Sequence, residues 1–158
     1  MTHIEDTSQE IVLPALLRHA RTTYGAAMRK ALEAAGYDDI PGNGLYIIGG
    51  LAMDKEDVPL GNLIMELRLS KQAAGQLVDT LVNRGYLERK VDSEDRRKLT
   101  ITLTERGKAA AATQTAAREQ VDAELVRRVG QENVEHTRYT LGVLVDMGCE
   151  TKMEGEDQ

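Results

Sequence analysis

Between Val58 and Gly107 the hydrophobic period of the sequence changes twice, and this constrains the fold more than any other feature. Apolar residues first recur at three- and four-residue steps, which is typical of amphipathic helices. They then alternate with polar residues, which is typical of half-buried strands, before the helical repeat returns. The stretch therefore predicts two short helices, two short strands and the start of a new helix.

The helical part divides at a tight Arg68-Leu69 connection. The first helix is expected to be about two turns long and to be entered through Pro59. Its apolar residues stand at i, i+3, i+4 and i+7: Leu60, Leu63, Ile64 and Leu67. Ser70 is a good N-cap for the second helix, which Gly85 ends. The apolar stripe of that helix consists of Ala74, Leu77, Val78, Leu81 and Val82. Two short helices with a tight turn between them predict a helix-turn-helix.

The alternating part predicts a β-hairpin with strands at Tyr86–Val91 and Lys98–Leu103. The six residues between the strands are all polar, and they end in Arg96 and Arg97. An arginine pair at a hairpin tip has no core to stabilise. After the hairpin, Thr104 can cap the next helix.

Longer helices are predicted on both sides of this stretch. Ser8–Ala35 carries one apolar stripe, and its helix should begin near Ile11 to Leu13 because Pro14 is tolerated only in a first turn. Gly44–Met53 predicts a short helix, whose Gly49-Gly50 pair we interpret as close packing against another helix, with a functional hinge as the alternative.

Downstream of Thr104, an Ala-rich helix is expected to run as far as Gly130. A final helix should end near Gly148 and leave Glu150–Gln158 as a frayed acidic tail. The fold class is therefore mainly α with a small β-hairpin wing: a winged helix-turn-helix lobe with a helical dimerisation region formed by the N- and C-terminal helices.

Composition narrows the class of protein. The chain has 158 residues with no Trp and no Phe, so its core must be aliphatic. Its apolar runs are too short to cross a bilayer, and Met1–Glu10 does not read as a signal peptide. One Cys is typical of a reducing compartment, so we expect a cytoplasmic protein without membrane attachment. No metal-like spacing, cofactor motif or catalytic arrangement is recognisable, and no enzyme is expected.

Charge is distributed unevenly along the chain. The net charge is −6, yet the region from Arg68 to Arg106 has nine Lys/Arg against six Asp/Glu. An acidic protein with one locally basic region can bind DNA in a single orientation.

The polar face of the second helix suits a DNA major groove, which admits one α-helix. Ser70 and Lys71 suit a phosphate, whereas Gln72 and Gln76 can pair with an adenine edge. Gly75 permits close backbone approach. The alternative for this helix alone is an ordinary solvated face.

At the hairpin tip, an arginine can enter a narrow minor groove, where the negative potential is enhanced. Asp95 precedes Arg97 by two residues and is expected to orient its guanidinium. Arg96 and Lys98 complete the basic tip. The alternative is a solvated turn with an incidental ion pair.

These segments together resemble the MarR family of bacterial transcription regulators. The segments that carry the resemblance are Leu63–Leu67, Ser70–Gly85, Tyr86-Leu87-Glu88-Arg89, Asp92–Arg97 and Leu103-Thr104-Glu105-Arg106-Gly107. The resemblance implies a wing arginine in the minor groove, a role that falls to Arg97, and dimerisation through the terminal helices. The family often has a basic residue where Gln76 stands and small hydroxyl residues where Ala73 and Gly75 stand. The operator sequence is therefore not transferable.

Dimerisation also follows from the terminal apolar stripes, which a lobe of about fifty residues cannot cover. The expected division is residues 1–36 as a dimerisation helix, 37–107 as the DNA-binding lobe, and 108–158 as dimerisation helices and tail. The alternative is a monomer whose terminal helices fold back on their own lobe.

The resemblance further implies a small anionic or aromatic effector, which would make the regulator ligand-responsive. Residues on the first helix that suit such a site are Arg18, His19, Arg21, Tyr24 and Met28. The alternative is that these are ordinary core and surface residues. For the chain as a whole, the function expected is a homodimeric repressor on a pseudo-palindromic operator, and the rival is a winged-helix module for protein docking.

Overall fold

The computed structural model describes residues 10–53, 58–59, 69–91, 94–97 and 99–156. By contact density the chain divides into two compact units, residues 1–118 and 119–158. The domain boundaries expected from the sequence concern pairing with a second copy and stay predictions.

The described elements are five helices and three short strands, and the strands form one small sheet. In chain order they are α1 (Leu13–Ala34), α2 (Gly44–Met53), β1 (Val58–Pro59), α3 (Lys71–Asn83), β2 (Leu87–Val91), β3 (Leu99–Leu103), α4 (Glu105–Val129) and α5 (Gln131–Glu156). The mainly helical fold class with a β-hairpin is confirmed. The predicted start of the first helix near Leu13 is confirmed as well, with Pro14 in its first turn.

Helix α3 begins and ends as its sequence predicts. Its first turn is capped by the Ser70 hydroxyl, which accepts a hydrogen bond from the Ala73 N–H at 3.1 Å. At the other end Gly85 adopts φ +80°, and the Tyr86 N–H donates to the Leu81 carbonyl at 2.9 Å. This is a Schellman motif, and it turns the chain directly from α3 into β2.

The hairpin is one part of a three-stranded antiparallel sheet with strand order β1-β3-β2. In the β2–β3 ladder Leu87 pairs with Leu103 and Val91 with Leu99. Strand β1 corrects the sequence prediction for one residue, since Pro59, expected in the first turn of a helix, is extended and pairs with Thr100. A proline lacks the N–H that a central strand needs, but an edge strand tolerates it, and β1 is at the edge of this sheet. The predicted helix Leu60–Leu67 lies outside the described residues.

The C-terminal prediction is also wrong in one respect. Helix α5 does not end near Gly148 but continues to Glu156, so most of the segment expected to be a frayed tail is helical. A glycine inside a helix costs only about 1 kcal/mol relative to alanine. The glycines that do end helices here are Gly36, Gly85 and Gly130, each with positive φ.

The core of the first unit is aliphatic, as the composition predicts, with one aromatic exception. Its largest fully buried side chains are Tyr86, Leu32, Ile47, Ile48, Leu81, Leu87, Ile101 and Val78. They come from α1, α2, α3, the α3–β2 turn and the sheet, so the core holds α3 and the hairpin together.

Close packing between α2 and α4 depends on Gly49. A Cβ there would lie 3.3 Å from Nε2 of Gln114, a buried amide that donates to the Leu45 carbonyl at 2.8 Å. The interpretation of Gly49 as a packing glycine is therefore confirmed. At Gly50 a Cβ would meet no atom within 4 Å among the described residues, and the packing role of that glycine stays a prediction.

The start of α4 is packed tightly against the end of the α3–β2 turn. The Thr104 side chain accepts a hydrogen bond from the Gly107 N–H at 3.0 Å and donates to the Gly85 carbonyl. A Cβ at Gly107 would lie 2.1 Å from the Tyr86 carbonyl oxygen, which is backbone and cannot move aside cheaply. The Leu-Thr-Glu-Arg-Gly segment is therefore a joint in which only glycine fits at position 107.

We expect Gly107→Ala to lower the free energy of unfolding by about 2 kcal/mol or more, because the new methyl group forces backbone apart. The measurement is urea denaturation followed by circular dichroism. Gly75→Ala is the matched control, because a Cβ at that helical position meets no atom within 4 Å in the described structure. The control should be neutral or stabilised by up to ~1 kcal/mol. Equal unfolding midpoints for the two variants would contradict the packing argument.

Candidate nucleic-acid interface

One exposed stripe runs along the whole length of α3. Its residues share a face because they stand at three- and four-residue steps: Gln72, Gln76, Asp79 and Asn83. On the other face Ala74, Val78 and Leu81 are fully buried. The buried face fixes the rotation of α3, so the polar stripe is held toward solvent.

The first turn of α3 presents polar groups beside this stripe. The Ser70 oxygen accepts the capping hydrogen bond, which leaves its own O–H available as a donor. Lys71 is exposed next to it, and among the described residues no heavy atom lies within 4 Å of where a Gly75 Cβ would be. The sequence-predicted reading residues thus lie together on one accessible surface.

The described part of the hairpin tip, residues 94–97, is exposed. The Arg97 backbone N–H donates to Oδ1 of Asp95 at 3.0 Å, which forms an Asx-type turn. The sequence analysis expected Asp95 to hold the Arg97 guanidinium, whereas the contact seen here is with the backbone. Asp95 therefore orders the chain that carries Arg97. Lys98 lies outside the described residues.

An ion pair that the sequence analysis missed joins α3 to the hairpin. The Arg89 guanidinium on β2 donates to Oδ1 of Asp79 on α3. Arg89 stands two residues after buried Leu87 and therefore lies on the same face of β2, a strand that packs against α3. The strand alternation is the signal that could have identified Arg89, but its partner depends on how α3 lies on the sheet.

A second polar cluster behind the interface also escaped the sequence analysis. Nη2 of Arg106, in the first turn of α4, donates to the Tyr86 hydroxyl at 3.0 Å and lies 3.3 Å from Oδ1 of Asp39. The Tyr86 hydroxyl in turn donates to the same Asp39 oxygen. The Arg106 guanidinium also stacks over the Tyr86 ring, 4.7 Å from its centroid. Three segments far apart in sequence are therefore tied at one point.

The hydrogen bonds of this cluster shift its pKa values in opposite directions. The Tyr86 hydroxyl, helped by the charge of Arg106, lowers the pKa of Asp39 against the opposing effect of burial. Burial and the Asp39 carboxylate raise the pKa of Tyr86. Asp39 is therefore ionised and Tyr86 neutral at physiological pH, which keeps the Arg106 interactions intact.

The effector candidates on α1 are in two kinds of surroundings. The Arg21 guanidinium lies 4.3 Å from the centroid of the Tyr46 ring, and Arg18 and His19 are exposed. Tyr24 is half-buried. Met28 packs against the hydrophobic core, which favours the interpretation of Met28 as an ordinary core residue. The structure therefore groups cationic and aromatic side chains on α1 without assigning them a ligand.

Two absences hold for the described ranges of the chain. In these ranges no cluster of three or more His, Cys, Asp or Glu side chains has the geometry to hold a metal ion. Nor does any described helix combine the length and the apolar character needed to cross a membrane.

Comparison with known proteins finds similarity in sequence and in structure. Residues 38–98 match the model of the MarR family. A comparison with curated protein sequences finds no match.

Several solved structures share the fold at low sequence identity. MepR of S. aureus in its DNA complex is 19% identical with a TM-score of 0.69, over 87% of this chain and 98% of that chain. FabT of Streptococcus pneumoniae in complex with DNA is 17% identical with a TM-score of 0.72, over 87% and 96%. Wild-type MarR of E. coli in its apo form is 19% identical with a TM-score of 0.64, over 85% and 97%.

We expect Tyr86→Phe to raise the pKa of Asp39 toward its ordinary value of 3.8, because the tyrosine hydrogen bond is the largest cause of its depression. A carboxyl with a lowered folded-state pKa stabilises the fold above its unfolded pKa, and this stabilisation is lost as the pH falls through the folded pKa. The variant should therefore be less stable than the parent at pH 7, and this difference should shrink below about pH 4.

The measurement is an NMR titration of the Asp39 carboxyl carbon, together with urea unfolding at pH 3 and pH 7. The difference in stability should stay below about 1 kcal/mol, because the Asp39 side chain is 40% exposed. Tyr139→Phe is the control, since Tyr139 is 76% exposed and should leave the titration of Asp39 unchanged. An unaltered Asp39 pKa in Tyr86→Phe would contradict the proposed cause.

Proposed function

We propose that this chain, whose residues 38–98 match the model of the MarR family, is a sequence-specific regulator of transcription that binds double-stranded DNA. The observation that carries the proposal is the pairing of an exposed polar stripe on α3 with an arginine-tipped hairpin whose tip is ordered by Asp95. In the proposal the chain acts in the cytoplasm as a homodimer, most simply as a repressor.

The two surfaces suit the two grooves of B-form DNA. Helix α3 can enter a major groove, where Gln72 and Gln76 are able to pair with adenine edges and Ser70 and Lys71 with phosphates. The arginines of the hairpin tip suit a narrow, strongly negative minor groove. DNA complexes of MepR and FabT, which share this fold, support the proposal for this chain.

The uneven distribution of charge also supports DNA binding through α3 and the hairpin tip. The overall charge of −6 repels DNA from most of the surface, whereas the segment from Arg68 to Arg106 carries an excess of basic residues. A winged helix that docks a protein instead of DNA is the alternative, but such a module has no need of Arg96 and Arg97. The wing tip therefore discriminates between the two proposals.

Homodimerisation is proposed from the apolar surface of α5. In this helix Tyr139, Val143 and Met147 follow one side at four-residue steps, Leu144 flanks Met147 at a three-residue step, and Val145 lies on the opposite side. All five side chains are at least 42% exposed in the single chain. A helix with apolar residues on opposite sides needs partners on both, and a second copy can supply them. Two copies would also present two reading helices to half-sites about 34 Å apart on a pseudo-palindrome.

An anionic or aromatic effector remains part of the proposal. Exposed Arg18 and His19, together with Arg21 stacked on Tyr46, offer positive charge, hydrogen-bond donors and an aromatic face to such a molecule. An effector that binds one spacing of the reading helices better than another would change DNA affinity by that difference in binding free energy. Ligand response is therefore compatible with the chemistry of α1.

We expect Arg97→Ala to weaken DNA binding roughly three- to tenfold and to lower the dependence of log K on log salt by about one unit. The measurement is fluorescence anisotropy with genomic fragments that the parent protein selects, between about 50 and 200 mM salt. Lys108→Ala is the matched control, because it removes one positive charge from an exposed α4 residue paired with Glu105 at 3.0 Å. The control should bind with the slope of the parent. If Arg97→Ala binds like the parent, the wing does not enter DNA and the docking module is favoured.

We expect the parent chain to sediment as a dimer at micromolar concentration and Leu144→Lys to shift it to monomer, because a buried unpaired charge strongly disfavours an apolar interface. Sedimentation velocity measures the change. Gln131→Lys places the same side chain at an exposed polar position two turns before Tyr139, beside Glu135, and should leave the dimer intact. A monomeric parent would overturn the dimer.

A further inference from the structure

The exposed stripe of α3 carries one formal charge, and it is negative. Three of its four residues are amides, and the fourth is Asp79. The Asp79 side chain is 59% exposed, so it faces whatever the stripe contacts. A carboxylate on a surface that meets a polyanion repels it, and this residue therefore requires a physical explanation.

Arg89 supplies that explanation. Its guanidinium reaches from β2 across to Asp79, and its own side chain is 34% exposed. Leu87, two residues earlier on the same face of the strand, is buried and anchors β2 against α3. Arg89 is therefore anchored beside the reading surface with its charge directed to the acid of the stripe.

If α3 entered a major groove, the Asp79–Arg89 pair would lie near the wall of that groove. A major groove is about 12 Å wide and bounded by phosphates, so side chains on the flank of an inserted helix lie within reach of the backbone. A phosphate and the Asp79 carboxylate then offer the same kind of acceptor to the same guanidinium. Arg89 can pair fully with a phosphate only if it breaks its ion pair with Asp79.

We propose that Asp79 limits DNA affinity by holding Arg89 away from the phosphate backbone. The inference rests on the proposed DNA-binding function and assigns to the same interface a residue that opposes binding. It follows that the sequence-independent part of the affinity is restrained, so the amide contacts of Gln72 and Gln76 account for a larger share of discrimination between sequences.

The experiment measures binding of a random-sequence duplex of about 30 base pairs, which isolates the electrostatic contribution to affinity. Asp79→Asn keeps the shape of the side chain and removes its charge. It should tighten binding roughly three- to tenfold at about 0.1 M salt and steepen the salt dependence by about one unit, because the released Arg89 neutralises one more phosphate. Arg89→Gln should weaken binding, since Asp79 is then unpaired.

The double variant separates this mechanism from a simple change of charge. If Asp79 acts through Arg89, Asp79→Asn in the Arg89→Gln background should not steepen the salt dependence. An equal gain in both backgrounds would mean that the acid acts by repulsion alone, and it would overturn the proposal. A loss of affinity in Asp79→Asn with an unchanged slope would assign the pair a merely structural role and overturn it too.

Two measurements keep the outcomes distinct. Thermal unfolding should show all three variants folded, because an exposed ion pair contributes little to stability. Arg97→Ala reports independently on the wing, so a parent that binds duplex through Arg97 but shows no gain in Asp79→Asn refutes this inference alone. A parent that binds no duplex at low salt refutes both this inference and the proposed function.

Discussion

Tyr86 is the residue on which the geometry of the candidate interface depends. Its backbone N–H closes the end of α3, and its carbonyl accepts the Thr104 N–H at 3.1 Å, where α4 is about to begin. The same carbonyl is packed so closely on Gly107 that no side chain fits there. The end of α3, the base of the hairpin and the start of α4 are therefore set by one buried residue.

The hydroxyl of Tyr86 extends this role from the backbone to charged side chains. Asp39 comes from the loop after α1 and Arg106 from the first turn of α4, and both contact the hydroxyl. Arg84 adds a hydrogen bond to the Asp39 carbonyl, again from the end of α3. Because these partners come from separate segments, a displacement of one changes the surroundings of the others. The reading surface is thus anchored from behind by polar contacts as well as by its aliphatic core.

The front of the interface follows a different electrostatic principle. A chain with an excess of acids still presents a basic region, but that region contains Asp79 and Asp95 as well as its arginines. Asp95 orders the backbone under Arg97, and Asp79 binds the guanidinium of Arg89. The acids of this region therefore act on its cations, Asp95 by fixing the turn that carries Arg97 and Asp79 by pairing with the Arg89 guanidinium.

The sequence predicted the elements whose signals are local. The Ser70 cap, the turn at Gly85 and the alternation of β3 are read from neighbouring residues, and the structure confirms each of them. Prediction failed where local chemistry permits two outcomes. Pro59 fits a helix start and an edge strand equally well, and Gly148 is compatible with a helix end or a helix interior. The structure of Pro59 was decided by its pairing with β3, and that of Gly148 by the following residues, which continue the helix.

The sequence by itself therefore determined the helices, the hairpin and the surface on which the polar stripe of α3 lies, because periodicity, capping and turn residues act over a few positions. Only the tertiary structure decided that Arg89 pairs with Asp79 and that Arg106 meets Tyr86 and Asp39. The last of these contacts joins residues 67 positions apart in sequence. Such pairs depend on how α3, α4 and the sheet pack on one core, and no local pattern encodes that packing.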